Sequence, residues 1–196
     1  MRCGSPVLKT IRILTVSGSL RAASINTALL AAATALAPVG VTLVPFARLG
    51  EFPLFNPDTE YPLPAPVRAF REQLNAADGV LIASPEYAHG VTGVMKNALD
   101  WVVGCEAFVH KPTAVLNASA RAVHADAALK ETLLVMSADL VQEASVTLPA
   151  LGARLDAGGI AAHPEIAFAL REALAALQRH IVNRRLRANC RPDSLA

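Results

Sequence analysis

The sequence predicts an α/β protein, a three-layer sandwich in which a five-stranded parallel sheet lies between helices. Three observations carry this. Short runs that are almost wholly apolar, such as Val80-Leu81-Ile82-Ala83 and Pro112-Thr113-Ala114-Val115-Leu116, read as strands buried on both faces. Segments with helical periodicity separate them, so strand and helix alternate along the chain. The 196 residues, 53% hydrophobic and 17% charged, suffice for one domain with a proper core.

The first strand is expected over residues 10–16, where Ile11-Arg12-Ile13-Leu14-Thr15-Val16 runs into a polar turn. A helix follows at 25–37 with Ser24 placed to cap it, then a second strand at 41–45. Residues 45–66 are Pro-rich and carry Phe46, Phe52, Phe55 and Tyr61. They read either as a functional loop or as a loop pinned to the body by its aromatics. Next come a helix at 66–77, the third strand at 79–84, and a helix at 92–103 in which Lys96 and Asp100 pair across one turn. The fourth strand is expected at 112–118, a helix at 125–138 and the fifth strand at 144–148. In the last helix, 164–182, Ile166, Leu170, Leu174, Leu177 and Ile181 trace one apolar stripe. Residues 1–9 read as a flexible N-terminus and 183–196 as a basic tail.

Right-handed crossovers leave few ways to order five such strands, and the flavodoxin-like order 2-1-3-4-5 is the one expected. That order brings the loops after the first and third strands, residues 17–26 and 84–91, side by side at the carboxyl edge, where such sheets bind ligands.

Composition narrows the function classes. No run approaches the ~20 apolar residues of a membrane span, and the N-terminal residues lack a sustained apolar core, so a cytoplasmic protein is expected. Cys3, Cys105 and Cys190 lie far apart with no CxxC pair, which argues against both a disulfide framework and a zinc site. His110, His124 and His163 sit near turn signals and suit surface or capping roles. From Gln178 onward five arginines face one aspartate, against a whole-chain net charge of +2, so the rest of the chain is slightly acidic. The basic pI therefore marks the C-terminal segment, which reads as solvated, and no basic face for nucleic acid is expected.

Two stretches carry chemistry. Val16-Ser17-Gly18-Ser19-Leu20-Arg21-Ala22-Ala23-Ser24-Ile25-Asn26 joins a strand to a helix start, a context suited to holding phosphate. Ser17, Ser19, Ser24 and Asn26 offer neutral donors, Arg21 a planar cation, and Ile25 opens the helix whose first N–H groups lack partners. The second stretch, Ser84-Pro85-Glu86-Tyr87-Ala88-His89-Gly90-Val91-Thr92-Gly93, begins where the third strand ends. Pro85 stiffens the turn, Gly90 and Gly93 permit close backbone approach, and Tyr87 and His89 suit the border of a flat ring. Glu86 reads either as an acid/base group or as a carboxylate that complements a helix N-terminus. Trp101 belongs to the core or to a subunit interface.

Taken together, Gly18-Ser19-Leu20-Arg21-x-x-Ser24-x-Asn26 and Ser84-Pro85-Glu86-Tyr87…Gly90…Gly93-Val94-Met95-Lys96-Asn97-Ala98-Leu99-Asp100-Trp101 resemble the NADPH-dependent FMN reductase family, over roughly residues 10–180. That family includes soluble quinone, chromate and azo-dye reductases. The resemblance implies non-covalent FMN, with the phosphate held at Ser19, Arg21, Ser24 and Asn26. The isoalloxazine ring would be bordered by Pro85, Glu86, Tyr87, Ala88, His89 and Gly90. It also implies NADPH (or NADH) as a transient electron donor, a small-molecule acceptor of quinone, chromate or azo type, and a homodimer or homotetramer. No side chain is required as a nucleophile, because the flavin carries the chemistry.

Two departures from the family pattern stand out. Many members have Asn after the Glu-Tyr pair, where this chain has Ala88. The loop after the fourth strand is often glycine-rich in relatives, yet here it reads Asn117-Ala118-Ser119-Ala120-Arg121-Ala122-Val123-His124. Ser119 can still donate to the pyrimidine edge of a flavin, and Arg121 or His124 can meet an anion. This altered loop keeps a second reading open, an FMN-binding electron carrier or redox-sensing protein with little NAD(P)H turnover. The sequence argues against a hydrolase using Ser and His, since Gly18-Ser19-Leu20 does not complete a GxSxG elbow.

Overall fold

The computed structural model describes residues 10–150 and 155–189. The elements run β1 (Ile11–Ser17), α1 (Ile25–Ala35), β2 (Val41–Phe46), α2 (Ala65–Ala76), β3 (Gly79–Ala83), β4 (Glu86–Tyr87), β5 (Gly90–Val91), α3 (Gly93–Val103), β6 (Pro112–Leu116), α4 (Val123–Val135), β7 (Asp139–Leu140), α5 (Ala157–Ala162) and α6 (Pro164–Asn189). Five strands pair in parallel in the order β2-β1-β3-β6-β7, the expected 2-1-3-4-5 topology, while β4 and β5 form a separate antiparallel hairpin.

Alternation along the strands divides the core into two layers. Ile11, Ile13, Leu81, Ala83, Ala114 and Leu116 face one side, where α1, α5 and α6 cover them. Leu14, Val16, Val80, Ile82 and Val115 face the other, against α2, α3 and α4. The five residues of the α6 stripe are all buried, each an aliphatic side chain worth about 1.5–3 kcal/mol of transfer free energy.

The fifth strand differs from expectation. The sheet edge is built by Asp139–Leu140, after which a short 3₁₀ turn at Gln142–Ala144 leaves the ladder. The chain returns for a single parallel bridge between Asn117 and Thr147, inside the expected 144–148. Ser145 fills the gap with its side chain: Oγ accepts from the Val115 N–H (3.1 Å) and donates to the Val141 carbonyl (2.9 Å). A side chain thus replaces one rung of the ladder.

The last helix is also longer than its apolar stripe. It continues to Asn189, so the boundary expected at 182 falls inside it. His180 Nε2 lies 2.8 Å and Arg184 Nη1 3.2 Å from Asp139 Oδ2, and Arg185 Nη2 lies 2.7 Å from Asp78 Oδ1. The basic segment is therefore tied to the amino edge of the sheet. Residues 1–9 and the end of the basic segment from 190 lie outside the described residues.

The 45–66 loop is pinned by its aromatics. Phe46 and Phe52 pack on Phe70 with centroids 4.8 and 5.7 Å apart, and Phe55 meets Trp101 edge-on at 5.1 Å. Trp101 is a core residue. No helix among the described residues is long and apolar enough to cross a membrane.

Candidate functional site

Three loops meet at the carboxyl edge of β1, β3 and β6 and enclose a cleft of about 290 Å³. One wall, from the loop after β1, presents Ser19, Arg21, Ser24, Ile25 and Asn26. The second, after β3, presents Ser84, Pro85, Glu86 and Tyr87, and the third, after β6, presents Asn117, Ser119 and Arg121. The volume is at the lower end of the range for small-molecule sites, and this is the place where a sheet of this order binds ligands.

Backbone geometry explains the closeness of the first two walls. The Gly18 N–H donates to the Ala83 carbonyl at 2.9 Å, and the buried Thr92 hydroxyl donates to the Gly18 carbonyl at 2.8 Å. Thr92 Oγ1 also accepts from the Met95 N–H at 3.3 Å, so one residue caps α3 and fastens the β1 loop. A Cβ at Gly18 would collide with the Ser84 hydroxyl and sit 2.7 Å from the Ser84 Cβ. Gly18→Ala is accordingly expected to cost about 1–3 kcal/mol of stability. The double variant Gly18→Ala/Ser84→Gly should recover most of that loss in urea melts; additive losses would contradict the contact.

The first wall combines a helix start with polar side chains and one guanidinium. Ser24 Oγ accepts from the Thr27 N–H (3.3 Å) and caps α1, as expected. Among the described residues, the N–H groups of Ile25 and Asn26 find no acceptor, as the first turn of a helix dictates. Asn26 is buried, and its Oδ1 has no partner. The Arg21 guanidinium is exposed and, among the described residues, makes no ion pair. Ser17 stands outside the cleft. Its Oγ lies 2.8 Å from Thr27 Oγ1 and accepts from the Ser19 N–H (3.3 Å), so it braces the loop from behind.

The second wall is a hairpin the sequence does not announce. Glu86 pairs with Val91 and Tyr87 with Gly90, leaving Ala88 and His89 as a two-residue turn with φ of 48° and 59°. Left-handed conformation at both central positions is what Asn-Gly turns provide; Ala and His adopt it at a conformational cost. This places Ala88, His89 and Gly90 at the tip of the hairpin, outside the lining of the cleft, whereas Pro85, Glu86 and Tyr87 line it. Gly93 has open space where a Cβ would stand.

Glu86 does complement a helix N-terminus, that of α4 and not of α3, which follows it in sequence. Its Oε2 accepts from the Ala125 N–H at 2.8 Å, and Oε1 lies 3.2 Å from His89 Nδ1. The Ala125 N–H holds its carboxyl below the ordinary carboxylate range; desolvation opposes this, and the His124 N–H and the charges of His124 and His89 add to it. Because the folded value is depressed, the stabilisation is present above the unfolded carboxylate pKa and is lost as pH falls through the folded one. Glu86→Gln should therefore lose stability at neutral pH yet approach the parent in acid. Parallel urea midpoints for the two proteins across that range would refute this.

The third wall is knitted to itself. Asn117 Oδ1 accepts from the Ser119 N–H (3.0 Å), Asn117 Nδ2 donates to the Ala122 carbonyl (3.1 Å), and Ser119 Oγ accepts from the Arg121 N–H (3.3 Å). Ser84 and Asn117 also line the cleft; the sequence places both in the two loops but assigns them no role, and each stands one position beyond a buried strand. Elsewhere His163 has the expected capping role, its Nδ1 accepting from the Ile166 N–H at 3.5 Å.

A parallel sheet of this order with a polar cleft at its carboxyl edge defines a flavodoxin-like protein. The family model for NADPH-dependent FMN reductases matches residues 11–151, and the chain belongs to that family. It is 36% identical over 184 residues to an NAD(P)H-dependent FMN reductase of Pseudomonas aeruginosa, covering 90% of this chain and 97% of that one. A 2-hydroxy-1,4-benzoquinone reductase from a Burkholderia species is 39% identical over 116 residues, 58% of this chain and 63% of that protein. Among solved structures, FerB, a flavoenzyme NAD(P)H:(acceptor) oxidoreductase from Paracoccus denitrificans, superposes with a TM-score of 0.74 at 26% identity, covering 88% of this chain and 98% of that one. The protein is thus an oxidoreductase whose cofactor is FMN and whose electron donor is NAD(P)H.

Proposed function

We propose that the cleft holds FMN with its phosphate at the first wall and its ring between the second and third, and that the enzyme passes electrons from NADPH to a quinone-type acceptor. One end of the cleft carries this reading: the N–H groups of Ile25 and Asn26 and the Arg21 guanidinium, all without a protein partner among the described residues, lie there together. These donors fit a phosphate monoester, which needs several hydrogen bonds and a planar cation. Ser19 and Ser24 complete the set; the Ser24 hydroxyl accepts from the Thr27 N–H and keeps its own O–H to donate. The Cβ-free Gly18 brings the β1 and β3 loops close enough for one ligand to touch both.

FMN supplies the redox chemistry when bound, accepting two electrons and delivering them one or two at a time. The chain's own residues position it. Pro85 and Tyr87 line the ring side, Ser119 offers a hydroxyl at its edge, and Glu86 keeps that wall in place by clasping α4. His89 and Ala88 set the hairpin tip beside the mouth, where Tyr87, 56% exposed, leaves room for a flat second ligand. The benzoquinone-reducing relative supports a quinone as that ligand. The exposed apolar side chains Val103, Leu134 and Val135 support a homo-oligomer, and the unpaired pattern of cysteines supports action in the cytoplasm.

Steady-state oxidation of NADPH by the FMN-loaded protein tests the acceptor. Addition of 1,4-benzoquinone should accelerate it manyfold. Tight FMN binding with negligible turnover on either nicotinamide would favour an electron carrier and overturn the proposal.

A further inference from the structure

The cleft contains a second guanidinium that the phosphate end does not use. Arg121 lines the third wall, across from the wall that carries Arg21, and among the described residues its side chain makes no hydrogen bond or ion pair. Its base is fixed: its own N–H is held by Ser119 Oγ, and the Asn117 amide ties both Ser119 and Ala122. The carboxylate that lines this cleft, Glu86, is already engaged at both oxygens by the Ala125 N–H and His89. The Arg121 guanidinium is thus a donor-only cation on the lining of the cleft, without a partner among the described residues.

We infer that Arg121 sets the reduction potential of the bound flavin by holding the negative charge that appears on the ring's pyrimidine edge when it is reduced. The inference rests on the placement of FMN proposed above. With the phosphate at Arg21 and the ring between the other walls, the third wall faces the ring's polar edge. Reduction by the nicotinamide transfers one hydride: a C–H bond of NADPH breaks, an N–H bond forms on the flavin, and NADP⁺ leaves. The ring thereby gains two electrons and one proton and carries one net negative charge. A fixed cation beside that edge stabilises the reduced form more than the neutral oxidised one.

The test is thermodynamic and independent of turnover. The parent, Arg121→Gln and Arg121→Lys are loaded with FMN, oxidised FMN affinity is titrated by fluorescence, and the two-electron midpoint is read by equilibration with a dye of known potential. Arg121→Gln should weaken binding of reduced relative to oxidised FMN about tenfold, which lowers the midpoint by about 30 mV. Arg121→Lys, which keeps the charge, should stay near the parent. Equal midpoints for parent and Arg121→Gln would overturn the inference, as would an equal fall in Arg121→Lys, which would mark a packing effect. A raised KM for NADPH with an unmoved midpoint would also overturn it and assign Arg121 to the donor. Failure of the parent to retain FMN at all would instead defeat the underlying placement.

Discussion

Trp101→Ala will lower the unfolding free energy by about 3–5 kcal/mol, the cost of emptying a large buried aromatic site. Trp101 is 1% exposed, stacks edge-on against Phe55 and donates from Nε1 to the Pro53 carbonyl at 2.8 Å. The same carbonyl accepts from Asn97 Nδ2 (2.9 Å), and Asn97 Oδ1 accepts from the Phe55 N–H (2.8 Å). Arg71 closes the set, donating to the Trp101 carbonyl and to Glu60 at 2.9 Å. The indole is thus the peg on which the long loop after β2 hangs. Trp101→Phe keeps most of the apolar volume and loses mainly one hydrogen bond, so about 1–2 kcal/mol is expected. Urea melts separate the two variants. A mild loss in both would show that the loop is held elsewhere, and FMN affinity should barely change in Trp101→Phe, because the peg stands away from the cleft.

Arg21→Ala will weaken FMN binding by about 1.5–3 kcal/mol, a fall in affinity of roughly 10- to 150-fold, without a comparable loss of stability. The side chain has no partner among the described residues, so its removal strands nothing in the free protein. Its contribution appears only when a phosphate is present, where a guanidinium can bond two oxygens at once. Arg21→Lys should recover the charge but not the fork, and fall between. Titration with FMN and with riboflavin, which lacks the phosphate, makes the test sharp. The variant should lose affinity for FMN and little for riboflavin, whereas equal losses for both would place Arg21 against the ring.

The parts of this architecture legible in the sequence are those with a local cause. β3 and β6 are almost wholly apolar runs because parallel strands are covered on both faces. The Ser24 cap sits immediately before the helix it starts. What escaped depends on partners distant along the chain. Beyond Ile181 the last turns of α6 are rich in arginine and do not continue the apolar stripe; Asp139, 41 residues before His180 and 45 before Arg184, secures them. The split edge strand depends on Ser145 reaching Val115, 30 residues earlier. α5 is concealed by Gly158 and Gly159, poor helix formers that Asp156 rescues by accepting from the Gly159 N–H at 2.7 Å. The hairpin at Glu86–Val91 is hidden because Ala88-His89 stands where Asn-Gly would have announced it.

The site was legible to the same degree. Arg21, Ser24 and Asn26 lie on a strand–turn–helix segment whose chemistry is local, and the cleft contains them. Ser17 shares their character but stands outside the cleft, its Oγ 2.8 Å from Thr27 Oγ1. Ala88, His89 and Gly90 left the cleft when the chain turned back on itself. Thr92, which fastens the β1 loop from 74 residues away, offers no signal in sequence beyond its place before a helix.

The visible absorption spectrum of the purified protein reconstituted with FMN and freed of excess flavin tests the central claim most directly. The expected result is a yellow protein with flavin bands that releases FMN, and not riboflavin, on denaturation, and a phosphate-dependent loss of that flavin in Arg21→Ala. A folded protein that retains no flavin after gel filtration would contradict it.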